Sequence, residues 1–179
     1  MKYLDSFVNR WIFRVSSHWL VATAVFLTLS QCVLAFFYQG PDSVLWEWLG
    51  WICLWSAGVF GMLPILTFRK YGDVPQGESY IRTTRLVTRG IYAIVRHPQN
   101  GTSWILINLG IFLIIRHWSS YLLGGTSMIL VYLDTYLADQ RCIRKFGENY
   151  RAYMARVPRI NFLYGILKLI RQRWTNTKS

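Results

Sequence analysis

The run "WLVATAVFLTLSQCVLAFFY", Trp19 to Tyr38, is twenty residues without a single charge. A helix of that length rises about 30 Å, the thickness of a bilayer's hydrocarbon core. This feature alone removes most soluble architectures. The run is also too long for the apolar part of a cleavable signal, so it reads as a retained anchor. The stretch before it, "MKYLDSFVNRWIFRVSSH", alternates aromatics with Lys2, Arg10 and Arg14 and reads as an amphipathic, interfacial lead-in.

Three more apolar runs follow. The turn at residues 39–44 leads into a second span, roughly Leu45 to Phe68, with Trp46, Trp48 and Trp51 placed as an interfacial belt. Pro64 is expected to kink it, leaving a carbonyl for neighbours to satisfy. A third run, Thr102 to Ile115, is only fourteen residues and needs extension or burial to cross. The fourth runs from Tyr121 to Gln140 and carries Asp134 and Asp139 towards its end. The chain closes with a basic, amphipathic segment broken at Gly147 and Pro158. The expected fold is all-α and polytopic: about four transmembrane helices with amphipathic helices at both ends. It forms a single membrane domain over 1–179, with a lead-in and two spans in 1–68 and a pocket-bearing half in 69–179.

Charge sets the orientation. Nineteen of the twenty Lys and Arg fall before span one, between spans two and three, or after span four. The excess of basic residues on cytoplasmic loops therefore places both termini and segment 69–101 in the cytoplasm. A net charge of +12 in a chain that is 53% hydrophobic points to anionic lipid headgroups rather than to nucleic acid. Cys32, Cys53 and Cys142 are far apart, and no His or Cys pair has metal-ligand spacing, so neither a disulfide framework nor a metal is expected.

The polar groups at the membrane threshold need a reason. A carboxylate inside a membrane helix costs about 2.5–3.5 kcal/mol at the helix centre, so Asp134 and Asp139 must face a partner or a cavity. Asp134 suits an ion pair with Arg141, Arg144 or an arginine of 69–101, whereas Asp139 suits a site. In "IYAIVRHPQNGTSW", Pro98 fits a helix's first turn, and the helix end offers backbone donors beside Arg96. That makes an anion-receiving rim, with a basic topology signal as the plainer alternative. Gly90 permits a tight turn next to a ligand, and Gly124 and Gly125 permit close helix packing. No dinucleotide-binding fingerprint of the strand–glycine-loop–helix kind is present.

Two stretches, taken together, are similar to one family. "LVTRGIYAIVRHPQNGTSWILINLG", residues 86–110, resembles the glycine–aromatic…Arg-His-Pro signature of the integral-membrane methyltransferases, which include isoprenylcysteine carboxyl and phospholipid N-methyltransferases. "LADQRCIRKFGENYRAYMARVPR", residues 137–159, resembles their second signature. The resemblance implies S-adenosyl-L-methionine as cofactor, a lipid substrate drawn from the bilayer, and methyl transfer at the cytoplasmic face. Carried over by position, it implies cofactor contacts from Gly90, Tyr92, Arg96, His97, Pro98, Gln99, Asp139, Tyr150, Tyr153 and Arg156. Asp139 would meet the cofactor's positive groups and Arg96 an anion. The family's acidic pair is here Ala138 and Asp139. Two rival readings stand beside it: a membrane sterol or lipid reductase using a reduced nicotinamide cofactor, whose relatives share a similar His-Pro and acidic region, and a non-enzymatic lipid-binding scaffold.

Overall fold

The computed structural model describes residues 17–38, 40, 43–73 and 85–176. The expected lead-in before Ser17 and residues 74–84 of the polar segment lie outside the described residues. Among the described residues there are six α-helices and no strand: α1 (Ser17–Phe37), α2 (Val44–Tyr71), α3 (Trp104–Ile115), α4 (Trp118–Phe146), α5 (Glu148–Arg156) and α6 (Phe162–Asn176). A 3₁₀ turn at Gly90–Ala93 and a π-type turn at Pro98–Ser103 precede α3.

The all-α expectation holds, and the span count is narrowed. By length and apolarity, α1 from His18 and all of α2 can cross a membrane; α3 and α4 do not meet that standard. The reasons are physical. Helix α3 has twelve residues and rises only about 18 Å. Helix α4 is long enough at 29 residues, but its second half carries Asp134, Asp139, Arg141, Arg144 and Lys145. Helix α2 runs through Pro64 without interruption, and that proline is fully buried. Large apolar side chains such as Phe26, Phe36, Trp48 and Trp55 stand exposed on α1 and α2, as expected of surfaces solvated by lipid.

The chain divides into two compact units. The first comprises residues 1–54 and 107–141, the second residues 55–106 and 142–179. In the first unit the buried face of α1 is Ala24, Thr28 and Gln31, spaced four and three residues apart on an otherwise apolar helix. Thr28 Oγ1 donates to Asn108 Oδ1 at 3.2 Å and lies 2.9 Å from Ser127 Oγ, which itself donates to the Ala24 carbonyl. Gln31 Nε2 donates to Ser120 Oγ at 2.8 Å. On α4 the matching stripe is Ser120, Gly124, Ser127, Val131 and Asp134, a repeat of four and three. Gly50 and Gly110 let backbones touch: a Cβ on either would sit under 3 Å from the other's carbonyl oxygen. Polar side chains and glycines thus share the interior of this unit with buried Ile111, Ile115, Val131 and Leu137.

In the second unit, α5 contributes Tyr150 and Tyr153, each 3% exposed, to a cluster with Val157, Leu86, Cys142, Phe146 and Met154. Gly147 begins α5 at φ +56°, a conformation glycine adopts without strain.

Candidate functional site

Segment 90–103 is irregular backbone, and irregular backbone needs partners for its polar groups. The second unit supplies them from one short stretch. The Arg96 N–H donates to the Pro158 carbonyl at 3.0 Å, the His97 N–H to the Arg159 carbonyl at 3.0 Å, and Thr102 Oγ1 to the Ile160 carbonyl at 2.9 Å. Three consecutive carbonyls thus take three donors from the Arg-His-Pro region. A fourth bond ties the same regions together: Tyr153 Oη donates to the Tyr92 carbonyl at 2.6 Å. The two sequence signatures meet in space through their backbones.

Pro98 occupies the first position of the π-type turn, where a missing N–H costs nothing, and the His97 carbonyl accepts from both Gly101 (3.1 Å) and Thr102 (3.0 Å). Pro98 itself is fully buried, whereas His97 and Gln99 are half-buried. Ser103 Oγ donates to the Ala57 carbonyl at 2.8 Å, fixing the entry to α3. Gly90 takes φ +62° and lies so close to Thr67 that a Cβ would sit 2.9 Å from its Cγ2. Tyr92 packs on Phe68 with ring centroids 4.8 Å apart. The Nε and Nη1 atoms of Arg96 are enclosed by protein.

The expected site residues therefore play different parts. Gly90, Tyr92, Arg96, His97, Pro98 and Gln99 form one turn-rich segment, and Tyr153 anchors it. Tyr150 is a packing residue, 5.7 Å edge-to-face from Tyr153. Arg156 is exposed at a cavity of about 160 Å³, together with Thr88, Lys168 and Gly165. Sequence reasoning passed over Thr102, Ser103 and Lys168. The two hydroxyls bond to carbonyls 58 and 46 residues away, which no local pattern reports, and Lys168 gave no signal in a generally basic tail. Gly165 was also passed over. A Cβ there would overlap the Ile94 carbonyl, so α6 lies directly on the 90–94 turn.

The acids belong to the first unit. Asp134, 2% exposed, is 3.5 Å from Arg141, one of the partners expected from sequence. Asp139 is completely buried. Five residues along a helix separate the two directions by about 140°.

Comparisons with known proteins bear on the chemistry. The chain is similar to a protein of Acanthamoeba polyphaga mimivirus named "Probable 7-dehydrocholesterol reductase", with 28% identity over 128 residues. The match covers 60% of this chain but only 28% of that relative's length. No family model matches, and no solved structure matches. The expectation of an S-adenosylmethionine-dependent methyltransferase is accordingly corrected: the named relative is a reductase, an oxidoreductase rather than a group-transfer enzyme. The physical reason for the misreading lies in the motif residues themselves. Their observed work is to pair backbone with backbone, which builds a scaffold and does not specify which cofactor it serves.

Proposed function

We propose that the chain is a membrane reductase that saturates a carbon–carbon double bond of a sterol or related lipid, using a reduced nicotinamide cofactor. The observation that carries this reading is the similarity to the viral sterol reductase. The reading includes four membrane-crossing helices with both termini in the cytoplasm, supported by the one-sided distribution of nineteen basic residues.

Saturating a double bond adds a hydride to one carbon and a proton, drawn ultimately from water, to the other. The nicotinamide supplies the hydride and with it both electrons. The chain's part is to bind, orient and exclude water. Of the 90–103 segment, Arg96 is the residue whose charge would suit a phosphate of such a cofactor. Tyr153 is a positioning residue here, because its hydroxyl proton is committed to the Tyr92 carbonyl. Asp139, enclosed in the first unit, is probed by its own variant, Asp139→Asn.

The test is turnover by the purified chain in nanodiscs, following nicotinamide oxidation and loss of the conjugated diene of 7-dehydrocholesterol, with cholesterol as control. Diene-dependent oxidation supports the proposal. Thermal stabilisation by a reduced nicotinamide nucleotide and not by S-adenosylhomocysteine supports the cofactor assignment. Absence of both turnover and stabilisation across a panel of sterol dienes would overturn it and favour the scaffold reading.

A further inference from the structure

Helix α6 has two faces. At about 100° per residue, Leu163, Ile166, Leu167, Ile170 and Trp174 fall within about 60° of one direction, and Gly165 points the opposite way. Gly165 faces the protein, against the Ile94 carbonyl, and Phe162 packs on Phe60 with centroids 4.8 Å apart. The apolar stripe faces away: Leu163 is 62% exposed, Leu167 66% and Trp174 69%. The stripe is therefore not what docks α6 on its own unit. An apolar face of this length left to water would be a liability.

What covers it is indicated by charge. Residues 149–179 hold seven Lys and Arg and no Asp or Glu. Lys168 and Arg171 lie along one flank of the stripe. A cavity of about 160 Å³ opens between that flank and the protein-facing side of α6, lined by Thr88, Arg156, Gly165 and Lys168 among others, and no carboxylate lines it among the described residues. Sites for whole cofactors run to about 300–1,000 Å³, so this one has room for a phosphate group but not for a whole cofactor. Arg156 and Lys168 are each tethered to a nearby carbonyl, of Ala152 at 3.3 Å and of Ala155 at 3.2 Å, which fixes both cations at the rim.

We propose that α6 lies in the plane of the bilayer interface, its Leu163–Trp174 stripe sunk among acyl chains, and that Arg156 and Lys168 receive the phosphate of an anionic glycerophospholipid. Apolar stripe, basic flank and a hollow with room for a phosphate are the three parts of an interfacial helix. The proposal is independent of the reductase reading, because its readout is depth and lipid retention rather than turnover.

The test uses the full chain in nanodiscs, with Cys32, Cys53 and Cys142 replaced by Ala and single spin labels at Leu163→Cys, Leu167→Cys, Ile170→Cys or Arg171→Cys. The first three labels should collide with oxygen and be screened from a water-soluble nickel chelate, and the label at position 171 should behave oppositely. The contrast should deepen when phosphatidylglycerol is added to phosphatidylcholine. Nickel access at all four positions would overturn the proposal, as would screening from both collision partners, which would mean a protein surface covers the stripe. For the phosphate, the double variant Arg156→Gln, Lys168→Gln should retain several-fold less phosphatidylglycerol than the parent when protein–lipid complexes are weighed. Equal retention would remove the headgroup site.

Discussion

The two units solve the same problem by different means. Both enclose polar atoms, but the first does so with side chains on continuous helices and the second with the backbone of a broken segment. In the first, Thr28, Asn108 and Ser127 satisfy one another across three helices, and Gln31 reaches Ser120. In the second, three successive carbonyls from Pro158 to Ile160 capture Arg96, His97 and Thr102. Side-chain contacts between membrane helices contribute only about 0.6 kcal/mol on average, since an unpaired partner finds substitutes. Backbone ties hold a fixed geometry, and the atoms they leave behind have nowhere to turn. The first arrangement therefore tolerates repacking, whereas the second holds residues in register.

The sharpest way to break that contrast is at Gly165. Gly165→Val drives a side chain into the Ile94 backbone, and neither helix nor turn can yield locally. The expected loss is about 3 kcal/mol, at the upper end of overpacking, read as an early, separate thermal transition of the second unit. Next is Gly124→Ala in the first unit, where the new methyl meets Phe112 and both polar atoms of the Gln31 amide. A loss of about 2 kcal/mol is expected in denaturant titration. Gly125→Ala, with nothing within 4 Å, should be neutral or gain about 0.5 kcal/mol.

Tyr153→Phe removes the bond to the Tyr92 carbonyl and leaves that oxygen without it. A loss of about 1–2 kcal/mol is expected, with faster amide exchange confined to residues 91–97. Thr28→Val is the smaller of these two losses, at about 0.6–1 kcal/mol, because Asn108 and Ser127 can still meet other partners. If Thr28→Val exceeded Tyr153→Phe, the distinction between the two units would be wrong.

Much of the helical skeleton was legible in the sequence. The first two spans were expected at Trp19–Tyr38 and Leu45–Phe68, and α1 and α2 end within three residues of those limits. Long uncharged runs leave the backbone little choice in an apolar solvent. Helix α3, expected over Thr102 to Ile115, runs Trp104–Ile115 behind a π-type turn at Pro98–Ser103. Helix α4 outlasts its apolar stretch because Gln, Arg and Lys, which end a hydropathy window, are good helix formers. At the site, the residues of both signatures stood out and were expected together, but the bonds that join them were not, since no local pattern reports which carbonyl will accept from Arg96. The chemistry was read wrongly for the same reason: Arg96 and His97 meet Pro158 and Arg159 through main-chain atoms, which many reactions can share.

The carbonyls that steady Arg96, His97 and Thr102 belong to Pro158, Arg159 and Ile160, the residues on which the chain turns from α5 into α6. The link between α5 and α6 is thus part of what holds the Arg-His-Pro segment in place. A shortened chain ending at Val157 would retain every residue of the Arg-His-Pro segment and lose the three clasps that hold it still.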